Sequence, residues 1–171
     1  MHAAVTTRLR VPGNADDLML RLQVDAFLAE YVHAIDSDDL ESWPEFFTDT
    51  AVYRICTREN FDLGLPLSVL SCRNRGMFRD RISALRTANI FEPHVYRHLI
   101  GALRIRASGN GRIDAESNFQ VVRTMVDGTM SLYACGRSLD VIVTEGNALR
   151  FAERTVILDS RQIDTLLVIP L

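Results

Sequence analysis

The feature of this 171-residue chain that most restricts its fold is a change of period at Pro93. Upstream of it, apolar side chains recur at helical spacing; downstream, from Val95, they alternate every second residue. Four stretches carry that alternation: residues 95–107, 112–126, 129–144 and 148–159. Between them stand Ser108-Gly-Asn-Gly111, Asp127-Gly128 and Glu145-Gly-Asn147, all strong hairpin-turn sequences. The clearest alternation sets Ile113, Ala115, Phe119, Val121 and Met125 on one face and Asp114, Glu116, Asn118, Gln120 and Thr124 on the other. One face is therefore buried while the other meets water or a partner. Helices first and an antiparallel meander afterwards predict an α+β domain, in which a strongly curved sheet wraps helices packed on its concave side.

The helical half is legible in the same way. Leu20, Val24, Phe27, Leu28, Tyr31 and Ile35 predict a first helix, with Asn14 or Asp16 as its N-cap. Asp36-Ser-Asp-Asp39 ends it and caps a short second helix, in which Trp43, Phe46 and Phe47 surround Pro44. A short strand follows at residues 51–57, and residues 58–74, with Gly64 and Pro66, read as a loop. A third helix is expected over residues 75–89, with Met77, Phe78, Ile82 and Leu85 inward and Arg79, Arg81 and Arg86 largely outward. Residues 1–15, polar and ending in Pro12-Gly13-Asn14, read as a flexible arm, leaving 16–171 as a single domain.

Composition excludes several classes of function. All nineteen basic residues are arginine, spread without any run that would track a phosphate backbone, and the net charge is −3, so nucleic acid is not expected as a partner. Arginine suits buried ion pairs and subunit interfaces, although a GC-rich coding bias produces the same absence of lysine. Cys56, Cys72 and Cys135 are an odd number at wide spacings, with no Cys-x-x-Cys. They indicate neither a disulfide framework nor a zinc knuckle, and read as small apolar residues in a reducing cytoplasm. No apolar run approaches the ~18 residues needed to cross a membrane, and the first fifteen residues lack the apolar core of an export signal. A soluble cytoplasmic protein, with no membrane partner, is expected.

Three constellations could carry chemistry. His94 and His98 are four apart, a metal-binding spacing on a helix; Pro93 and the alternation after it place them on a strand, roughly 13 Å apart, which favours separate structural or interface roles. Asp25, His33 and Asp36 fall on a polar helical stripe opposite the core, whereas Tyr31 lies with the core. The His33/Asp36 pair therefore reads as a solvated or inter-subunit contact, because a general base must face its substrate cavity. Arg97 and Arg123 are in phase with apolar neighbours, which would bury a guanidinium unless a carboxylate or a partner meets it. Arg137 and Asp140, three apart on a strand, point to opposite faces and cannot pair directly; Arg104 and Arg106 complete the set of sheet arginines. The chain has no Gly-x-Ser-x-Gly elbow, and Gly109-Asn-Gly111 lacks the strand-to-helix context of a phosphate cradle.

Three segments carry a family resemblance: Phe27-Leu-Ala-Glu-Tyr-Val-His-Ala-Ile-Asp36, the run Met77-Phe-Arg-Asp-Arg-Ile-Ser-Ala-Leu-Arg-Thr-Ala-Asn-Ile-Phe-Glu-Pro-His-Val-Tyr-Arg-His-Leu-Ile100, and Ala134-Cys-Gly-Arg-Ser-Leu-Asp140. From about residue 16 onward the chain resembles the small (beta) subunit of Rieske-type aromatic-ring-hydroxylating dioxygenases. It is most similar to the branch that oxidises carboxylated aromatics such as anthranilate, terephthalate or salicylate. The resemblance implies the cone fold shared with steroid isomerases, scytalone dehydratase and nuclear transport factor 2. It further implies an α3β3 assembly, with a homotrimer of this chain beneath large (alpha) subunits that carry a Rieske [2Fe-2S] cluster and a mononuclear iron. This chain would then hold no cofactor, metal or catalytic residue. Cys56, Cys72 and Cys135 indeed have no histidine two or three positions downstream, as a Rieske ligand set requires. His33, Asp36, Arg97, His98, Arg137 and Asp140 are the expected structural or interface residues. The competing expectation is a stand-alone isomerase, dehydratase or ligand-binding cone, with a cavity lined by Tyr31, Trp43, Tyr53, Phe119 and Tyr133.

Overall fold

The computed structural model describes residues 15–162 and 167–171, so the arm expected at the N-terminus lies outside the described residues apart from Ala15. Ala15 opens helix α1 (Ala15–Asp36), whose first turn contains Asp16 rather than being capped by it. A 3₁₀ turn, Trp43–Phe46, leads into strand β1 (Phe47–Thr57), which starts four residues earlier than the sequence predicts. The stretch expected as a loop contains a short helix α2 (Arg58–Asp62) and strand β2 (Leu70–Cys72). Thr57 initiates α2 by accepting the Asn60 N–H at 3.2 Å, a side-chain cap with no preceding apolar periodicity to announce it.

Helix α3 (Arg75–Thr87) begins where Asn74 accepts the Met77 N–H at 3.0 Å. Phe78, Ile82 and Leu85 are buried, whereas Met77, expected inward, is exposed. Its sulfur instead accepts the Arg73 N–H at 3.4 Å, just past the end of β2. The four long strands fall where the alternation puts them: β3 (His94–Gly109), β4 (Arg112–Met125), β5 (Met130–Glu145) and β6 (Ala148–Leu158). Gly111, Gly128 and Gly146 take positive φ at the three hairpins, which is why glycine recurs there.

The six strands form one sheet in the order β2-β1-β6-β5-β4-β3. β1 runs parallel to β6 and every other neighbour is antiparallel. Register slips in the β3–β4, β4–β5, β5–β6 and β1–β6 pairs insert residues that bend and twist the ladders. Through them the sheet curls into the α+β cone with the N-terminal helices inside, as the sequence predicts.

The concave face is filled. Trp43, Phe47, Tyr53, Phe78 and Phe151 are completely buried around Tyr31 of α1. Phe47 stacks on Phe78 with ring centroids 4.3 Å apart, and Trp43 meets Tyr53 and Phe78 edge-on at 5.3 and 4.9 Å. The last residues close the mouth of the cone, with Leu167, Val168 and Leu171 buried. The Leu171 carbonyl accepts the hydroxyls of Tyr31 (3.0 Å) and Tyr53 (2.8 Å), and the Trp43 indole N–H donates to Tyr31 Oη at 3.1 Å. Arg81, expected outward, turns back to donate to the carbonyls of Leu167 and Val168. Each buried aromatic of this kind contributes about 2–3 kcal/mol of transfer free energy, and its polar tip stays satisfied.

β5 and β6 approach closely at Gly136, where a Cβ would sit 2.0 Å from the Ile157 carbonyl oxygen. Backbone cannot swing aside as a side-chain tip can. The Gly136→Ala variant is therefore expected to lose about 3 kcal/mol and some 6–12 °C in Tm. Thermal unfolding followed by circular dichroism checks this, and an unchanged Tm would mean that the two strands are not so close.

Candidate functional site

Two carboxylates that the sequence singles out are buried and paired. Asp36 is the last residue of α1, beside the start of β3. Its Oδ1 lies 2.6 Å from His98 Nδ1 and its Oδ2 accepts the His98 backbone N–H at 2.9 Å. Both side chains are only 2% exposed, so Asp36 is not the solvated partner of His33 that helical phase suggests. Helical phase places Asp36 opposite the core, but β3 crosses that end of the helix and covers it. His33 stays exposed on the outer side of α1.

Arg97 Nη1 reaches Asp36 at 3.6 Å from outside, with its side chain 67% exposed. The predicted phase holds, since Arg97 is flanked on its face by Val95 and Leu99. Both of those neighbours are themselves exposed, so the face is the outer one and the guanidinium is not buried. Arg123 lies with its guanidinium 4.8 Å from the Tyr133 ring centroid. Arg137 is also on the outer side of the sheet, 3.3 Å from Glu116 and over the Phe61 ring.

Asp140 pairs with a residue the sequence reading passes over. Its register neighbour on β6 is Arg154, which donates to Asp140 Oδ2 at 2.8 Å with both side chains almost wholly buried. The Arg154 guanidinium also rests 4.5 Å from the Tyr31 ring centroid and 4.8 Å from that of Phe151. Arg154 is in phase with Val156 and Leu158, both buried, so the reasoning applied to Arg97 would have found it here. Burial pushes the Asp140 carboxyl up to about 6, with the desolvation penalty outweighing the pull of Arg154. The pair is charged at neutral pH. Ser117 and Ser138, neighbours across β4 and β5 on the same face, have buried hydroxyls without a partner.

Arranged this way, the concave face holds the raw materials of acid–base chemistry with aromatic side chains packed beside them. The His98 Nε2 is buried without a partner, and a histidine oriented by an aspartate is a general-base arrangement. A base must also touch a substrate. Of the five residues expected to line an enzymatic cavity, Tyr31, Trp43 and Tyr53 instead fill the interior and bond to one another and to Leu171, whereas Phe119 and Tyr133 each line a cleft. Two clefts open among the described residues. One of about 290 Å³ lies at the rim beside Phe91, His94 and Tyr96 and is lined by Asp36 but not His98; one of about 550 Å³ lies over Asn118, Gln120 and Arg137 and is lined by neither.

His94 and His98 have the Tyr96 ring between them, at 4.9 and 6.2 Å, and each Nδ1 has its own oxygen partner. Among the described residues, no three His, Cys, Asp or Glu side chains gather closely enough to hold a metal ion. Burial raises the Cys56 and Cys72 thiols above their usual range, which keeps them protonated and unreactive.

The curved sheet thus closes over aromatic side chains, and Asp36, Arg137 and Asp140 each pair with a neighbour within the chain. The comparisons give the class. A family profile described as "Ring hydroxylating beta subunit" matches residues 31–165, and the chain belongs to that family. It is 40% identical over 156 residues to the anthranilate 1,2-dioxygenase small subunit of Burkholderia cepacia, covering 91% of this chain and 97% of that one. It is 40% identical over 150 residues to subunit beta 2 of the terminal oxygenase component of terephthalate 1,2-dioxygenase from a Comamonas species, covering 88% and 97%. The crystal structure of a beta subunit from Novosphingobium aromaticivorans, provisionally assigned to an aromatic-ring-hydroxylating dioxygenase, superposes with a TM-score of 0.81 at 36% identity, covering 89% and 96%. The chain is thus a small subunit of an aromatic-ring-hydroxylating dioxygenase, a component of an oxidoreductase holoenzyme.

The Asp140–Arg154 pair generates a test. Asp140→Asn strands a buried guanidinium and is expected to cost about 3–5 kcal/mol, whereas the double change Asp140→Leu with Arg154→Met restores most of that loss. Because the folded carboxyl titrates near 6 and the unfolded one near 4, the folded state holds the extra proton between these values. This group's contribution to stability therefore falls as pH rises through that window, and the Asn variant lacks that component of the slope. Urea titrations across pH 4–7 read both effects; a double variant no more stable than Asp140→Asn would contradict the account.

Proposed function

We propose that this chain is a non-catalytic, structural subunit whose contribution to ring hydroxylation is burial against other polypeptides in an α3β3 assembly. In this reading three copies pack around a threefold axis, and each also seats a large subunit that carries the Rieske [2Fe-2S] cluster and the mononuclear iron. The holoenzyme adds dioxygen to an aromatic ring with electrons from NAD(P)H delivered by a reductase, in the cytoplasm. The relatives named for anthranilate and terephthalate both act on carboxylated rings, which supports a carboxylated aromatic as the substrate here.

The observation that carries the proposal is the filled interior. Tyr31, Trp43 and Tyr53 are fully buried where a substrate of a cone enzyme would lie, so the surface of the molecule is left to act. His33, Arg97 and Arg137, exposed or half-exposed on that surface, are assigned to interfaces. Asp36, His98 and Asp140 are assigned to holding the fold. Permanent interfaces of this kind bury upwards of about 2,000 Å².

Expressed alone, the chain is expected to be colourless and without oxygenase activity. Co-expressed with its large subunit, it is expected to purify as a coloured complex of equal stoichiometry that consumes oxygen when given an aromatic carboxylate, NAD(P)H and a reductase. An iron–sulfur absorption spectrum from the isolated chain, or failure of the two subunits to co-purify, would contradict the proposal.

A further inference from the structure

The outer face of β3–β5 is unusual for a surface meant for water. Val95 and Leu99 on β3 and Met130 and Leu132 on β5 are 51–70% exposed, and strand register brings them into adjoining rows. Row by row, Val95 is followed by Thr124 and Met130, Arg97 by Val122 and Leu132, and Leu99 by Gln120 and Cys135. A contiguous apolar strip with polar edges marks a contact surface.

The strip runs directly into the larger cleft, a trough of about 550 Å³. Asn118, Gln120 and Arg137 line it, as does Gly101, over which a Cβ would meet nothing within 4 Å. At one side stands the Arg58–Asp159 pair, and at the other the bulge of β3, where Ala102 takes a φ of +51°. The charge around this trough does not balance. Arg104, Arg106 and Arg137 all converge on the single carboxylate of Glu116, at 3.8, 4.0 and 3.3 Å. Arg137 lines the trough together with Arg58 and Asp159, while Arg104, Arg106 and Glu116 stand beyond its edge, so that four guanidinium groups accompany two carboxylates in and around it. The amides of Asn118 and Gln120 present free donors and acceptors beside them.

We propose that this face, strip and trough together, is the seat of the large subunit, and that an acidic segment of that subunit lies in the arginine trough. The inference rests on the subunit reading above and adds the surface and the chemistry of the partner segment. Arginine excess selects a partner that brings carboxylates, and the fork geometry of the guanidinium suits bidentate pairing with them. Two copies meeting face to face there would set arginine against arginine; a head-to-tail contact around a threefold axis would instead set this face against another surface of a second copy, and the self-association arm of the test below reads that case. The apolar strip calls for a broad partner surface, where a small carboxylate would leave Leu99 and Leu132 in water.

The test is co-expression with an affinity-tagged large subunit, reading the ratio of small to large subunit recovered. Asn118→Glu places a carboxylate in the trough without removing a contact within the chain. Gly101→Trp fills the trough by bulk in a space the fold leaves open. Each is expected to lower the recovered ratio about tenfold while circular dichroism of the variant alone stays that of the wild type. Arg79→Glu on α3, which packs on β1 and β2, is expected to leave the ratio unchanged. Retention of the large subunit by both trough variants at the wild-type ratio would overturn the inference and leave the subunit reading standing. So would variants that abolish self-association of the isolated chain yet keep the large subunit, which would assign the face to a second copy. Wild-type protein that fails to recover the large subunit would instead sink the subunit reading itself.

Discussion

A sheet curled this far has a concave surface that must be occupied, and what occupies it decides what the protein can do. Here the occupant is the chain itself. Phe47 and Phe78 stack, Trp43 stands edge-on to them, and Tyr31 and Tyr53 close over the ring cluster with their hydroxyls on the Leu171 carbonyl. Those hydrogen bonds matter as much as the apolar area. A tyrosine buried without a partner would cost a large part of what its ring contributes, and the two phenols and the indole instead share one set of donors and acceptors. Burial accordingly raises the pKa of both phenols above the ordinary range, so neither serves as an acid or base near neutral pH.

The two buried pairs, Asp36–His98 and Asp140–Arg154, then make sense as fasteners between elements. Asp36 sits at the C-terminal end of a helix, where the macrodipole disfavours a carboxylate, and a histidine ring and backbone N–H on β3 compensate for that position. This ties α1 to the far edge of the sheet. Asp140 and Arg154 join neighbouring strands beneath α1, and the guanidinium is sandwiched against Tyr31 and Phe151. Such pairs are poor sources of net stability compared with apolar substitutes, yet breaking one partner is costly, so they fix which packing is allowed. With the interior committed in this way, the exposed apolar residues and the excess of arginine lie outside, on the face of β3–β5.

Much of the fold was legible because hydrophobic period is a direct readout of burial on one face. The four long strands and their glycine hairpins followed from alternation alone, and α1 and α3 from helical spacing. What escaped depended on tertiary context. Helix α2 and strand β2 are too short to show a period, and the burial of residues 167–171 comes from docking into the mouth of the cone rather than from any repeat. The site residues failed in instructive ways. Asp36 looked solvated because helical phase says nothing about a strand crossing the helix end. Arg97 looked buried because its neighbours are apolar, although on this sheet both faces carry apolar residues. Arg154, in phase with Val156 and Leu158, was readable by that same rule and lay on the face where the rule holds.

The central claim is that the Asp36–His98 pair inside the cone supports structure and takes no part in the reaction. The direct measurement is aromatic hydroxylation per iron atom in the assembled holoenzyme carrying His98→Gln, at saturating substrate. The account predicts a rate within about twofold of the wild type, with any loss appearing only as lower thermal stability. A fall of about a hundredfold or more in an intact, fully iron-loaded assembly is the size expected on removing a general base, and it would contradict the account.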